Sequence, residues 1–232
     1  MKAALLFLIQ VFLILPSFAQ ETEPKSSDNS FQTTRAGFGE MSGFNMGPGF
    51  INPRVRTEGS AYYFDNWDTQ AVVYLKEQGR YKVEQVNINL MDNKLEALYD
   101  ENNVVVLETE KVLQVIVNDK IFRALTVDKK PQLLELFYNE KVSVYKHYSI
   151  RYRKSDPNPM INRKTNKYTR SETYYLHRDG QLIKIKLTNK SFAKLFATGD
   201  HSEEAIVDFI KENDLSLKKD GDLRQVLNFI SK

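Results

Sequence analysis

Between Arg151 and Arg170 stand seven bases, Arg151, Arg153, Lys154, Arg163, Lys164, Lys167 and Arg170, against the single acid Asp156. Guanidinium and ammonium groups at that density bind phosphate, sulfate or carboxylate groups. Pro157, Asn158, Pro159 and Asn162 make the middle of the stretch a loop. Two roles are open to it. One is contact with an anionic surface such as lipopolysaccharide, phospholipid headgroups or acidic glycan. The other is solvation of an exposed sheet end, where charges oppose edge-to-edge aggregation. Tyr152 and Tyr168 interleave with the bases in a way that also suits nucleic acid, but an exported protein seldom meets nucleic acid, and none is expected as a partner.

Other chemistry is thin. The chain has three histidines, His147, His177 and His201, and no two share a metal-ligand spacing. There is no Gly-x-Ser-x-Gly elbow, and the glycine-rich region lacks the ending of a phosphate loop. Asp65-Asn66-Trp67-Asp68 resembles the start of a calcium loop but lacks its glycine and later bidentate Glu. No cysteine is present, which excludes disulfides, thiolate metal sites and a cysteine nucleophile. No catalytic, cofactor or metal residue is expected. An enzyme would have to use the polar strand face bearing His147 and Arg151, with an acid such as Glu172.

These residues sit on elements with a clear pattern. Ala71, Val73 and Leu75 alternate with other residues, as do Val86, Ile88 and Leu90, and then Leu95, Ala97 and Tyr99. Val104–Leu107, Val112–Val117 and Ile121–Phe122 follow, with turns at Asp92-Asn93 and Asn118-Asp119. Two long strands flank the basic loop. On the first, Val142, Val144, Tyr148, Ile150 and Tyr152 share a face, and Lys141, Ser143, His147, Ser149, Arg151 and Arg153 share the other. Asp179-Gly180 is a type I′ hairpin dipeptide that would pair Arg178 with Gln181, Leu176 with Ile183 and Tyr174 with Ile185. Past Thr188 the period becomes helical. Ser191–Phe196 is short, Ser202 caps a helix with Ile206, Phe209 and Ile210 inward, and Asp222 caps one carrying Leu223, Val226, Leu227 and Ile230.

The fold expected is mainly β with C-terminal helices. It is a curved antiparallel meander of about eight to ten strands, barrel-like or half-barrel, capped by two or three short α-helices. Its organisation reads as a signal peptide over 1–19, a Gly/Phe/Met-rich tail over 20–58, the β domain over 59–190 and the helical cap over 191–232. A curved sheet with a helical lid can also enclose a hydrophobic ligand. A half-barrel carrier would line its cavity with Tyr148, Ile150, Tyr174, Leu176 and Ile183, residues that would be plain core in a filled barrel.

The N-terminus sets the compartment. Lys2, an apolar run from Ala3 to Leu15, the breaker Pro16 and the small-x-small site Ser17-Phe18-Ala19 form a cleavable secretory signal, too short to span a bilayer. The mature chain is therefore expected in the periplasm or outside the cell with no transmembrane span, and its partner is an envelope component or an anionic glycan or lipid surface. The net charge of +3 is too small to imply such a partner by itself.

Several pieces together resemble a group of uncharacterised secreted proteins of the Bacteroidota phylum. They are Ala19-Gln20, Gly59-Ser60-Ala61-Tyr62, Phe64 with Trp67, Gly79-Arg80-Tyr81, Asn87-Ile88-Asn89-Leu90, Lys141-Val142-Ser143, Phe209-Ile210-Lys211-Glu212-Asn213 and Asp222-Leu223. The likeness covers roughly residues 59–232 and implies export and a β domain with C-terminal helices. It implies no activity and no site residue, and the Gly/Phe/Met segment at 36–50 departs from it.

Overall fold

A computed structural model of the chain describes residues 48–50, 57–77, 79–100, 103–155 and 165–232. Residues 1–19, read above as a signal peptide, most of the 20–58 stretch read as a tail, and Arg163 and Lys164 of the basic loop lie outside the described residues.

Hairpins assemble two antiparallel sheets. The smaller runs β1 (Pro48–Phe50), β7 (Asn103–Leu107), β6 (Lys94–Leu98), β5 (Val86–Asn89). The larger runs β13 (Gln181–Lys184), β12 (Asn166–Arg178), β11 (Ser143–Arg153), β10 (Lys130–Asn139), β9 (Lys120–Val127), β8 (Val112–Val117), β3 (Gln70–Leu75), β4 (Gly79–Glu84). β2 (Thr57–Glu58) joins the outer side of β12 in parallel at Asn166 and Lys167. Neither sheet closes, so the molecule is a curved meander rather than a barrel.

The strands number thirteen among the described residues, more than the eight to ten expected. Two of them, β1 and β2, fall within the stretch read as tail. Between β4 and β5 the chain turns a corner at Gln85, whose φ of 51° lets one continuous segment serve both sheets.

Turn chemistry fixes the registers. Asp179 and Gly180 both have positive φ, at 51° and 74°, and pair Arg178 with Gln181 and Leu176 with Ile183 as a type I′ turn requires. The backbone N–H of Ile185 then donates to Tyr174 at 2.8 Å. Asp128 and Lys129 make the same turn between β9 and β10, with φ of 49° and 63° and no glycine.

Three helices follow, α1 (Asn189–Phe196), α2 (Glu203–Glu212) and α3 (Asp220–Ile230). Ser202 caps α2 as expected, its hydroxyl accepting from the Ala205 N–H at 3.2 Å. Asp222 does not cap α3. That helix begins two residues earlier, with Lys219 at the cap position, and Asp222 instead accepts from the Ser216 N–H at 2.9 Å, closing the preceding turn. Its carboxylate is therefore used, but one turn away from the place a capping motif assigns it.

Two apolar clusters share no residue. The first joins the small sheet to β3, β4, β8 and β9 through Val73, Val86, Ile88, Leu95, Val115 and Phe122. The second packs the helices on the far end of the same large sheet. There Phe192, Phe196, Ile206, Ile210 and Leu223 meet Phe137, Val144, Leu176 and Ile185. Each fully buried side chain of this kind is worth about 1.5–3 kcal/mol relative to exposure. Where the clusters meet, the polar Lys146 lies against Tyr148 of the first and Phe137 of the second.

Candidate functional site

Antiparallel register places Glu135 opposite Lys146, and Lys146 opposite Tyr174. The three side chains form one row across β10, β11 and β12 where the two apolar clusters meet, Tyr174 itself belonging to the helical one. Lys146 interrupts the apolar face of β11, which otherwise follows the expected alternation of Val144, Tyr148, Ile150 and Tyr152. Its side chain is only 4 % exposed, while its partners Glu172 and Asp220 are 41 % and 48 % exposed. The ammonium lies 2.9 Å from Glu172 and 2.6 Å from Asp220 of α3. Three rings surround it, Tyr174, Tyr148 and Phe137, with centroids 5.1, 5.4 and 5.5 Å away.

Beside this cage, Glu135 accepts from Lys120 at 2.5 Å, from the Tyr148 hydroxyl, and from the Tyr63 hydroxyl at 3.1 Å. A buried carboxylate needs such partners, because an unpaired one would cost far more than any packing gain. Both groups were detectable in the sequence as charges at inward positions of apolar strands, Lys146 between Val144 and Tyr148 and Glu135 within Leu133–Phe137.

Hydrogen bonds hold the row in place. Burial pulls Lys146 down, but its hydrogen bonds to Asp220, Glu172 and Tyr174 outweigh burial and raise it above an ordinary lysine. Burial raises Asp220, yet its bonds to Lys146 and Tyr174 hold the carboxyl below its usual range. Burial, followed by the bond to Glu135, drives the Tyr148 phenol upward. These directions favour the ammonium form of Lys146 and the protonated phenols of Tyr148 and Tyr174.

A second feature is the ribbon that carries the basic stretch. β11 pairs with β10 only through Lys146, whereas its pairing with β12 continues to Arg153 opposite Lys167. From His147 onward the two strands therefore leave the sheet as a ribbon. One of its faces carries Tyr148, Ile150 and Arg170 against the segment at 62–64. The other carries His147, Ser149, Arg151 and Arg153, paired with Thr173, Ser171, Thr169 and Lys167 in turn.

The structure sorts the basic residues. Arg151, Arg153, Lys154 and Lys167 are exposed, and the first two form no ion pair among the described residues. Lys167 approaches Glu58 of β2 at 3.8 Å. Arg170 is not displayed with them. Its Nη2 donates to the carbonyl oxygens of Tyr62 at 2.8 Å and Tyr63 at 3.1 Å, and its guanidinium lies 5.3 Å from the centre of the Tyr63 ring. It pins the 62–64 segment to the ribbon. Asn87 holds the same segment from the small sheet, accepting from the Phe64 N–H and donating to the carbonyl oxygens of Phe64 and Asn66.

The side chains named for a hydrophobic cavity pack against protein. Leu176 and Tyr174 are buried in the helical cluster with Ile183 against it, and Tyr148 lies in the first cluster with Ile150 against it. His147 and Glu172 point to opposite faces of the ribbon. The histidine Nε2 lies 3.3 Å from Gln132 Oε1, and burial lowers its pKa against the opposing pull of Asp128. Tyr152 and Tyr168 do meet, with ring centres 5.1 Å apart, on the face opposite Arg151 and Arg153.

Among the described residues no three His, Asp or Glu side chains are placed to share a metal ion, and no helix is long and apolar enough to cross a membrane. No protein-family model, curated protein or solved structure matches the chain.

Proposed function

We propose that this is an exported, non-catalytic binding protein that engages an anionic component of the cell envelope through the outer face of the β11–β12 ribbon. The reading rests on one observation. Arg153 and Lys167 stand directly opposite each other, next to Arg151, on a ribbon face that carries no carboxylate of its own. Like charges directly opposite across strands are destabilising. Glu58 answers Lys167 from the neighbouring strand, but nothing described answers Arg151 or Arg153. An anionic ligand would relieve that repulsion. The signal peptide supports the location, and the pinned state of the buried row supports a scaffold rather than a reaction centre.

The test is binding of the purified protein to immobilised lipopolysaccharide and acidic polysaccharide over a salt series. Wild type should bind with an affinity that falls steeply with salt. The variant R151S/R153S/K167S should keep its melting temperature and lose the binding. Equal binding by that variant, or binding indifferent to salt, refutes the reading.

A further inference from the structure

We infer that the ligand of this face is a single chain of an acidic polysaccharide lying along the ribbon, an inference that rests on the binding role proposed above. The strip between the His147–Thr173 pair and the Arg153–Lys167 pair spans six residue steps, or about 20 Å at ~3.4 Å per residue, and is two strands wide, about 5 Å. That is the footprint of one extended polymer. Its cations gather at one end, Arg151, Arg153 and Lys167, with the two arginines on one strand about 7 Å apart.

The rest of the strip consists of four hydroxyls and, at its far end, the His147 imidazole, which lies 3.3 Å from Gln132 Oε1. Ser149 and Ser171 face each other with oxygens 2.8 Å apart, flanked by Thr169 and Thr173. A hydroxyl has one donor and two acceptor sites. The serine pair consumes one donor, so the second O–H and the remaining lone pairs are open to the solvent side. Sugar hydroxyls are the groups that use both, and carboxylates or sulfates on the same chain meet the bases.

A bilayer fits this face less well. None of the eight side chains from His147 to Arg153 and from Lys167 to Thr173 on this face is aliphatic or an aromatic anchor. Stable membrane attachment requires a second, apolar signal beside a few bases. Nor does a phenol or indole ring stand here for nucleobases to stack on: Tyr152 and Tyr168 occupy the opposite face, and the His147 imidazole is half-buried against Gln132.

Binding measurements on the purified protein test this, using alginate oligomers and phosphatidylglycerol vesicles as probes. Alginate should bind. The variant S149A/S171A/T169V should weaken alginate binding about 3–10-fold while leaving the slope of log K against log salt unchanged, because no charge is removed. R151S/R153S should flatten that slope, and Glu58→Gln should tighten binding by removing the acid beside Lys167. If the hydroxyl variant binds alginate as wild type does, the sugar contacts are absent and the inference fails. If vesicles bind through Arg151 and Arg153 while alginate does not, the ligand is a lipid surface and only this inference falls. If neither probe binds in a way that depends on the strip, the binding role itself falls with it.

Discussion

The cage around Lys146 makes an asymmetric prediction about stability. The ammonium is buried, whereas its two carboxylates are 48 % and 41 % exposed at the rim. Neutralising both acids, as D220N/E172Q, strands a charge that cannot reach water. Breaking a buried pair in this way costs about 3–5 kcal/mol. For a domain of this length each kcal/mol moves the melting temperature by about 2–4 °C, so the loss should be about 6–20 °C. Lys146→Met instead removes the buried charge and leaves two acids that rehydrate where they stand. Removing the ammonium also removes the cost of burying it, and the two acids left at the rim keep water, so the net electrostatic cost is about 0–1 kcal/mol, and the methionine fills the space among Phe137, Tyr148 and Tyr174. The triple variant K146M/E172Q/D220N should recover most of what the double variant loses. Calorimetric unfolding of the four proteins measures the order directly. A Lys146→Met variant as unstable as the double variant would refute the cage account. So would a triple variant no better than the double, since the stranded ammonium would then not be the source of the loss.

The same cage sets two pH limbs. Asp220 has a folded pKa below its ordinary 3.8, so its contribution is present above that value and is lost as pH falls through the depressed one. Lys146 is raised above 10.5, so its contribution is present below that value and is lost as pH rises through the raised one. Lys146→Met should flatten both limbs of a denaturant-midpoint series, and unchanged limbs would place the titrating groups elsewhere. Gly59 and Gly180 offer a backbone comparison, with φ of 77° and 74°. A Cβ at Gly59 would lie 2.9 Å from the Tyr168 carbonyl oxygen, while one at Gly180 meets nothing within 4 Å. Gly59→Ala should therefore cost about 1–3 kcal/mol and Gly180→Ala about 1 kcal/mol in chemical denaturation, and equal costs would show that the contact with β12 yields.

Local chemistry was what the sequence disclosed best. The Asp179-Gly180 turn, the alternation on β3 and the Ser202 cap each depend on neighbours within a few residues, and each stands where it was expected. On β5 and β6 the alternation fails: Asn87 and Glu96 are buried beside the apolar residues because hydrogen bonds to the 62–66 segment take up their polar groups, and Tyr99 lies exposed beyond the end of β6. The β9–β10 hairpin carries no local sign in the sequence, because Asp128 and Lys129 take positive φ without the glycine that usually marks the turn. Lys146 and Glu135 are hard to interpret from sequence for a different reason. An inward charge only makes sense once its partners are known, and those stand between 13 and 74 residues away in Tyr148 and Asp220. The basic stretch was visible as composition, but composition could not separate Arg170, which grips the 62–64 segment, from Arg151 and Arg153, which face outward. Strand parity and register make that separation.

The polar row where the two apolar clusters meet also bears on how such a chain can drift. The clusters share no residue, so a methyl gained or lost around Val115 and Phe122 has no packing partner among Phe192, Phe196 and Leu223. Over evolutionary time the two halves can repack on separate schedules, each compensating its own volume errors. Lys146, Glu172, Tyr174 and Asp220 have no such freedom, because changing one strands the charge or proton of another. In any lineage descended from this sequence they should be exchanged as a set, and the apolar residues on either side of them should not covary.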